Sequence, residues 1–457
     1  MAKLCFSLLL LWQLQLCMQL IDSRSTVKFL PGFQGPLSFE LETGYVGVGE
    51  SEDAQLFYYF VKSEKNPKED PLLLWLTGGP GCSAFSALVY EIGPINFNIL
   101  EYNGSLPTLH LNPYSWTKEA SILFVDSPVG TGFSYVRTPL ASQTGDFKQV
   151  HQVDQFLRKW LMDHPEFLSN TFYVGGDSYS GITVPPLAQQ ISNENEEGIK
   201  PLINLQGYIL GNPKTDKIVD KNSQIPFAHG MGLISNELYE SLKITCGGDY
   251  ANIDPSNVDC LNDNQAFSEV SYQHNIFMEP FIDFRTRSKS YIGTPLSFFL
   301  SKATRFKCLF SLQSFGYMLS QNWENDYNVR KALQIRQGSK GKWQRCNYDL
   351  PYTQEIGSSF SFHVSLSTKG YRSLIYSGDH DMVVPFLGTE AWIKSLNYSI
   401  IDDWRPWILH SQVAGYTRTY SNRMTYATVK GGGHIAPEYR PAECYAMFQR
   451  WINHDPL

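Results

Sequence analysis

The stretch Phe172-Tyr-Val-Gly-Gly-Asp-Ser-Tyr-Ser-Gly-Ile-Thr-Val (172–184) sets a β-prone run before a glycine-crowded turn and a second apolar run after it. Gly175, Gly176 and Gly181 surround Ser178. A sharp strand-to-helix turn that exposes one side chain strains the backbone of that residue and requires small neighbours. The pattern is G-x-S-x-S-G, its last glycine one place beyond that of G-x-S-x-G. By itself it reads as an ordinary Gly/Ser turn as readily as it reads as a nucleophile.

Two distant stretches change the balance. Ser-Gly-Asp-His-Asp (377–381) follows the apolar run 374–376, and Gly-Gly-Gly-His (431–434) follows the run 426–429. His434 at the end of a flexible loop can act on Ser178 as general base and then as general acid. Asp381 would orient the imidazole and stabilise its cation. Asp379 is the competing carboxylate, and one of the two can serve to cap a turn. The order nucleophile, acid, histidine is that of the α/β-hydrolase triad, not of the chymotrypsin or subtilisin folds. A fourth stretch, Trp75-Leu-Thr-Gly-Gly-Pro-Gly-Cys-Ser83, offers backbone N–H groups after a strand. The N–H groups of Gly79 and Tyr179 are expected to form the oxyanion hole. A phosphate-binding loop is excluded because no Gly-Lys-Ser/Thr follows.

Short apolar runs at 72–76, 122–125, 172–174, 208–210, 374–376 and 426–429 read as buried strands, with helix-like segments such as 148–164 between them. This alternation predicts an α/β fold of α/β-hydrolase type. Its central sheet is mostly parallel and flanked by helices, with the candidate residues just after strand ends. Residues 215–320 lack the alternation and read as a mainly helical insertion covering the site, after which 325–333 returns as a helix. The expected organisation is a signal peptide at 1–22, core segments at 23–214 and 321–457, and the cap between them.

The whole chain agrees. It has 457 residues, 42% apolar and 18% charged, with a net charge of −7, which are globular values that disfavour nucleic acid as a partner. Arg285, Arg287 and Lys289 read as a solvated loop. Lys3 and the apolar residues 6–21 form a secretory signal too short and broken to be a membrane span, with cleavage expected near 22–25. No later run reaches ~18 uninterrupted apolar residues, so a soluble mature protein without a membrane anchor is expected. Cys5 and Cys17 leave with the signal. The remaining six (Cys82, Cys246, Cys260, Cys308, Cys346, Cys444) match no zinc spacing, and an oxidising compartment favours disulfides. Asn103-Gly-Ser and Asn397-Tyr-Ser are glycosylation sequons.

Together these stretches resemble the serine carboxypeptidase family. The resemblance runs from Val27-Lys-Phe-Leu-Pro-Gly-Phe to Phe448-Gln-Arg-Trp-Ile and is strongest at 75–83, 176–181, 379–381 and 433–434. It implies that the second aspartate of Gly-Asp-x-Asp, Asp381, is the triad acid. A finer resemblance is to the plant serine carboxypeptidase-like acyltransferases, carried by 204–213, 228–231, 401–407 and 414–420. Such enzymes move an acyl group from a 1-O-glucose ester to an alcohol.

The family's peptidases hold a C-terminal carboxylate with an asparagine and two glutamates. By the resemblance, Thr77 stands at the asparagine position, Asp177 at one glutamate, and Glu91 keeps the other. Two close carboxylic acids share a proton most readily in acid. Shortening one and losing the amide weakens that grip, leaving Thr77, Gly78, Glu91 and Asp177 to hold a sugar or an acceptor hydroxyl. The resemblance further implies bridges Cys82–Cys346 and Cys246–Cys260. The usual third bridge lacks its cysteine in Phe277-Met-Glu-Pro-Phe-Ile, so Cys308 is expected to lack its usual partner, residues 281–307 to be loosely held, and Cys444 to be a buried free thiol, the alternative being a Cys308–Cys444 bridge. The implied partners are an acyl glucose donor and an alcohol acceptor, with no metal or cofactor, and the implied destination is the vacuole or the extracellular space. The alternative is a secreted or vacuolar serine carboxypeptidase. A non-enzymatic binding protein on this scaffold is disfavoured by the intact Ser178, Asp381 and His434.

Overall fold

The structure, a computed structural model, describes residues 24–273 and 305–457. The expected signal peptide at 1–22, the basic run 285–289 and most of the stretch 281–307 lie outside the described residues.

Eleven strands form the main sheet: β1 (Arg24–Val27), β2 (Leu41–Val48), β3 (Ala54–Val61), β4 (Leu72–Leu76), β5 (Ser121–Val125), β6 (Phe172–Asp177), β7 (Leu205–Gly211), β8 (Arg372–Gly378), β9 (Ile400–Leu409), β10 (Gln412–Tyr420) and β11 (Met424–Val429). Their spatial order is β1-β2-β3-β5-β4-β6-β7-β8-β11-β10-β9, and a short strand at Tyr135–Val136 adds to β3. The pairings from β5 through β4, β6, β7 and β8 to β11 are all parallel. The two wings, β1-β2-β3-β5 and β11-β10-β9, are antiparallel.

The six parallel strands are the six that the apolar runs pick out. Parallel strands covered on both faces are apolar almost throughout, so they stand out in a sequence. The wings were not anticipated. β9 is the reason on one side: mostly exposed and irregular in its register with β10, it has no continuous apolar run.

Successive side chains point to opposite faces of the sheet, which builds two cores. Phe57, Tyr59, Leu73, Trp75 and Tyr376 belong to one, and Leu56, Tyr58, Leu72, Leu74 and Ile375 to the other. Helix α1 (Asp146–Asp163) covers the second core. Its Val150, Val153, Leu157, Trp160 and Leu161 recur at helical spacing along one buried stripe. Helix α2 (Ser180–Glu196) packs beside it. Each such fully buried aliphatic or aromatic side chain contributes roughly 1.5–3 kcal/mol.

Residues 215–320 are largely helical where described: α3 (Lys217–Gly230), α4 (Asn236–Cys246), α5 (Val258–Gln273) and α6 (Arg305–Glu324, closing four residues later). A Cys246–Cys260 disulfide joins α4 to α5. Asp326 then caps α7 (Tyr327–Ala332) by accepting the N–H groups of Asn328 and Val329. The remaining helices are α8 (Phe360–Thr368), α9 (Phe386–Ser395), α10 (Ala436–Tyr439) and α11 (Pro441–Ile452).

The junction before α3 turns on Asp220. Its buried carboxylate accepts the N–H groups of Thr215 (2.9 Å) and Asp216 (3.2 Å). Burial pushes its pKa up to about 7, against the hydrogen bonds that favour the charge. A raised carboxylate binds a proton in the folded chain over a range where the unfolded chain has lost it, so its contribution to stability is full below about pH 4 and falls away as pH rises to 7. Asp220→Asn is therefore expected to flatten the decline in thermal midpoint between pH 4 and pH 7, removing on the order of 4 kcal/mol of pH dependence. Calorimetry of both proteins across that range checks this.

Candidate active site

Ser178 follows β6 directly and has φ of +52°, a left-handed conformation that a residue with a Cβ adopts only under constraint. Three backbone bonds supply the constraint. Ser178 N–H donates to Gly211 O (2.9 Å), while Gly181 N–H (3.0 Å) and Lys214 N–H (2.9 Å) donate to Ser178 O. The neighbouring Tyr179 is anchored by its hydroxyl, which donates to the buried Asp146 carboxylate at 2.8 Å. Asp146 also accepts from Tyr352 Oη and from the N–H groups of Glu355 and Ile356. The elbow is thus tied to α1 and to the segment before α8.

His434 lies five residues beyond β11, and its Nε2 is 2.8 Å from Ser178 Oγ. Its Nδ1 is 2.8 Å from Asp381 Oδ2. Asp381 is fully buried and His434 is 10% exposed, so the pair operates largely out of water. The loop bearing the histidine closes onto the β8 end: Asp379 N–H donates to Val429 O and His380 N–H to Gly432 O. Gly378 permits this approach, since a Cβ there would strike the carbonyl oxygens of Gly432 and Gly433.

Asp379 takes the other role. Its Oδ1 accepts from Gly431 N–H at 2.6 Å and lies against His380 Nδ1, stapling the turn rather than reaching His434. Asp381 Oδ1 accepts from Val383 N–H. Its Oδ2 accepts from Asn212 Nδ2 at 2.8 Å. Asn212, just past β7 and itself at φ +45°, also accepts from Gly378 N–H. Sequence reading missed this role, although Gly-Asn-Pro directly after an apolar run was the available signal.

The glycine loop after β4 packs on the elbow from the other side. A Cβ on Gly78 would stand 2.6 Å from Ser178 Cβ and 2.9 Å from Tyr179 N. Gly78 N–H donates to Asp177 Oδ1 at 3.0 Å. Among the described residues, no acceptor engages the N–H of Gly79 or of Tyr179. The loop is held by Asp126, which accepts from Ser83 Oγ (2.6 Å) and Ala84 N–H (2.9 Å) and is lifted by burial to about 6. A Cys82–Cys346 disulfide clamps it further. Cys444 is a buried free thiol, while the Cys308 side chain lies outside the described residues.

A pocket of about 150 Å³ opens on Ser178 and His434 and is walled by Thr77, Gly78, Gly79, Glu91 and Asp177. The Thr77 hydroxyl is buried and has no hydrogen-bond partner among the described residues. Burial first, and then nearby charges including those of Asp177 and Glu91, hold the Tyr376 hydroxyl well above its usual pKa. Tyr317, Arg345, Tyr348 and Glu438 also line it, a group the sequence did not single out. The Arg345 guanidinium lies 4.0 Å above the Tyr317 ring, whose hydroxyl donates to Glu438. Among the described residues no helix is long and apolar enough to cross a membrane, and no His/Cys/Asp/Glu group could hold a metal.

This arrangement defines a serine-hydrolase type of site on an α/β-hydrolase sheet. The chain belongs to the serine carboxypeptidase family, which it matches over residues 31–454. Similar curated proteins include serine carboxypeptidase-like 19 of Arabidopsis thaliana, 54% identical over the full length of both chains. Serine carboxypeptidase-like 17 of the same plant is 56% identical over 96% of this chain and 95% of its own. Among solved structures, a prohormone-processing carboxypeptidase of Saccharomyces cerevisiae superposes with a TM-score of 0.71 at 20% identity, covering 94% of this chain and 95% of that one. It shares the fold.

Removing the acid without changing its shape tests the geometry. Asp381→Asn should lower the rate on an activated aryl ester by about 10⁴. Asp379→Asn should lower it by less than about tenfold, and Asn212→Ala by on the order of 10² through misplacement of the acid. Equal losses at Asp379 and Asp381 would contradict the assignment.

Proposed function

We propose that this protein is an acyltransferase that moves an acyl group from a 1-O-acyl-β-D-glucose ester, through a seryl acyl-enzyme, to an alcohol acceptor. The observation that carries the reading is the wall facing Ser178. Thr77 stands where the family's peptidases have an asparagine, and Asp177 engages its Oδ1 with Gly78 N–H. That bond occupies one of the two carboxylate oxygens and leaves Asp177 less acceptor capacity for a ligand carboxyl group. A buried hydroxyl without a partner is suited to a neutral hydroxyl instead. The resemblance to the plant serine carboxypeptidase-like acyltransferases at 204–213, 228–231, 401–407 and 414–420, a group that includes sinapoylglucose:malate sinapoyltransferase, points the same way.

In this reading His434 Nε2 takes the Ser178 proton as Oγ attacks the ester carbonyl. Negative charge on the carbonyl oxygen is met by the N–H groups of Gly79 and Tyr179. The bond to glucose breaks, and the sugar oxygen leaves with the proton from His434. The acceptor hydroxyl then gives its proton to His434 and its oxygen attacks the acyl carbon, returning Ser178 Oγ and its proton. Asp381 steadies the imidazolium in both halves. For an alcohol to outcompete water, the acceptor must be positioned against the acyl-enzyme.

Delivery through the secretory pathway to the vacuole or the extracellular space, with glycans on Asn103 and Asn397, belongs to the same proposal. A second reading, a carboxypeptidase releasing C-terminal residues, is favoured by the carboxyl groups that Glu91 and Asp177 keep in the pocket.

Protein from a secretory host, assayed at mildly acidic pH with sinapoylglucose and a panel of alcohols, should release glucose and form a new ester, and Ser178→Ala should abolish both. An N-blocked dipeptide should be a poor substrate, and Thr77→Asn with Asp177→Glu should raise its cleavage by at least about tenfold. Efficient dipeptide cleavage by the parent protein without ester formation would overturn the acyltransferase reading.

A further inference from the structure

Away from the reaction centre, a second and more open groove of about 460 Å³ runs between the loop 102–107 and the end of α6. Its volume is that of roughly fifteen waters in the liquid, too large a space for a single ion. One wall is Tyr102 with Gly104 and Ser105, and the other is Gln321, Asn322 and Lys342.

The walls are built rather than accidental. The Tyr102 ring meets Phe315 edge-on at 5.7 Å, and its hydroxyl accepts from Asn322 Nδ2 at 3.1 Å. Asn325 fixes the floor. Its amide nitrogen donates to Gln321 O and Trp343 O, and its oxygen accepts from Trp343 N–H and Arg330. Among the described residues, neither the Gln321 side-chain amide nor the Lys342 ammonium has a partner, and Asn322 Oδ1 remains an open acceptor. An aromatic ring with amides, one cation and the Asp326 carboxylate around it is the chemistry of a saccharide site, with an apolar platform and a few directed polar groups.

The rim of the groove carries a sequon. Asn103 lies between two groove residues and is exposed. Its Oδ1 accepts from Ser105 N–H (3.1 Å) and Ser105 Oγ (2.6 Å), leaving Nδ2 as the open end of the amide. Asn397, the other sequon, is also exposed, beyond α9, but neither of its sequence neighbours lines either pocket.

We propose that the groove is the seat of an N-linked glycan on Asn103. Its first N-acetylglucosamine units lie on Tyr102 and hydrogen-bond to Gln321, Asn322 and Lys342. Asn103 Nδ2 loses a proton and bonds to the sugar C1 of a lipid-pyrophosphate-linked oligosaccharide, and the lipid pyrophosphate leaves. The glycan then bridges the 102–107 loop to α6, whose Tyr317 lines the catalytic pocket. The proposal rests on the secretory delivery suggested above but not on the identity of the reaction.

The test uses the full chain secreted from yeast, treated undenatured with a peptide-N-glycosidase, with site-resolved mass spectrometry over time. Both sites should be occupied, and the Asn103 glycan should be released at least about tenfold more slowly than that of Asn397, the factor that 1.4 kcal/mol of seating provides. Replacing Gln321, Asn322 and Lys342 together with alanine should bring the two rates within about threefold. Equal rates in the parent protein, an unchanged rate in the triple variant, or a bare Asn103 beside a glycosylated Asn397 would each overturn the seat while leaving secretory delivery intact. Two bare sites would overturn the seat and the glycans proposed with it.

Discussion

The left-handed backbone at Ser178 is the constraint around which the rest of the site is arranged. Holding a residue with a Cβ there costs on the order of 1–3 kcal/mol, and the surroundings must over-determine it. They do so from separate directions. Gly211 O and the N–H groups of Gly181 and Lys214 fix the serine's own peptide groups, and Asp146 fixes the next side chain. What the strain achieves is placement: Oγ stands at the rim of the sheet, within 2.8 Å of His434 and beside Gly78.

The other components arrive in spatial order along that rim. Crossing the sheet through β4, β6, β7, β8 and β11, the strand ends deliver the Gly78–Gly79 loop, Ser178, Asn212, Asp381 and His434 in turn. The Asn212–Asp381 and Asp381–His434 bonds join the ends of neighbouring strands, while the loop after β11 carries His434 back across the rim to Ser178. Rigid parallel strands make such tolerances possible, since a displacement of about 1 Å can cost 10²-fold in rate. Asp381 is buried and fully engaged by His434, Asn212 and Val383, so its charge is compensated where water is excluded.

Membership of a peptidase family settles the fold and leaves the chemistry to the pocket wall. The triad and the glycine loop provide acyl chemistry in general. A bound substrate would meet a few side chains around a small cavity, among them Thr77, Asp177, Arg345 and Glu438.

Much of this was legible in the chain. The six parallel strands showed themselves because burial on both faces makes them apolar throughout. The turn at 175–181, the triple glycine before His434 and the Gly-Asp-x-Asp stretch marked the reacting groups, since sharp turns and close approaches demand residue types that stand out. The antiparallel wing that ends in β9 was hidden because that strand mixes polar and apolar residues without a continuous run, whereas β3 is buried throughout and its run at 56–61 was a signal the sequence reading passed over. Whether Asp379 or Asp381 faced the histidine depended on which way a two-residue difference turned a side chain after β8, and from the residues themselves both stayed open until family resemblance chose. The roles of Asp146 and Arg345 could not be read at all, and that of Asn212 was signalled only by Gly-Asn-Pro after an apolar run, because each exists through contacts between segments tens to hundreds of residues apart. The sequence by itself determined which residues could do chemistry and which strands would be buried. Only the tertiary structure decided which of them meet, because hydrogen bonds of 2.8 Å depend on strand order and register, which no single stretch encodes.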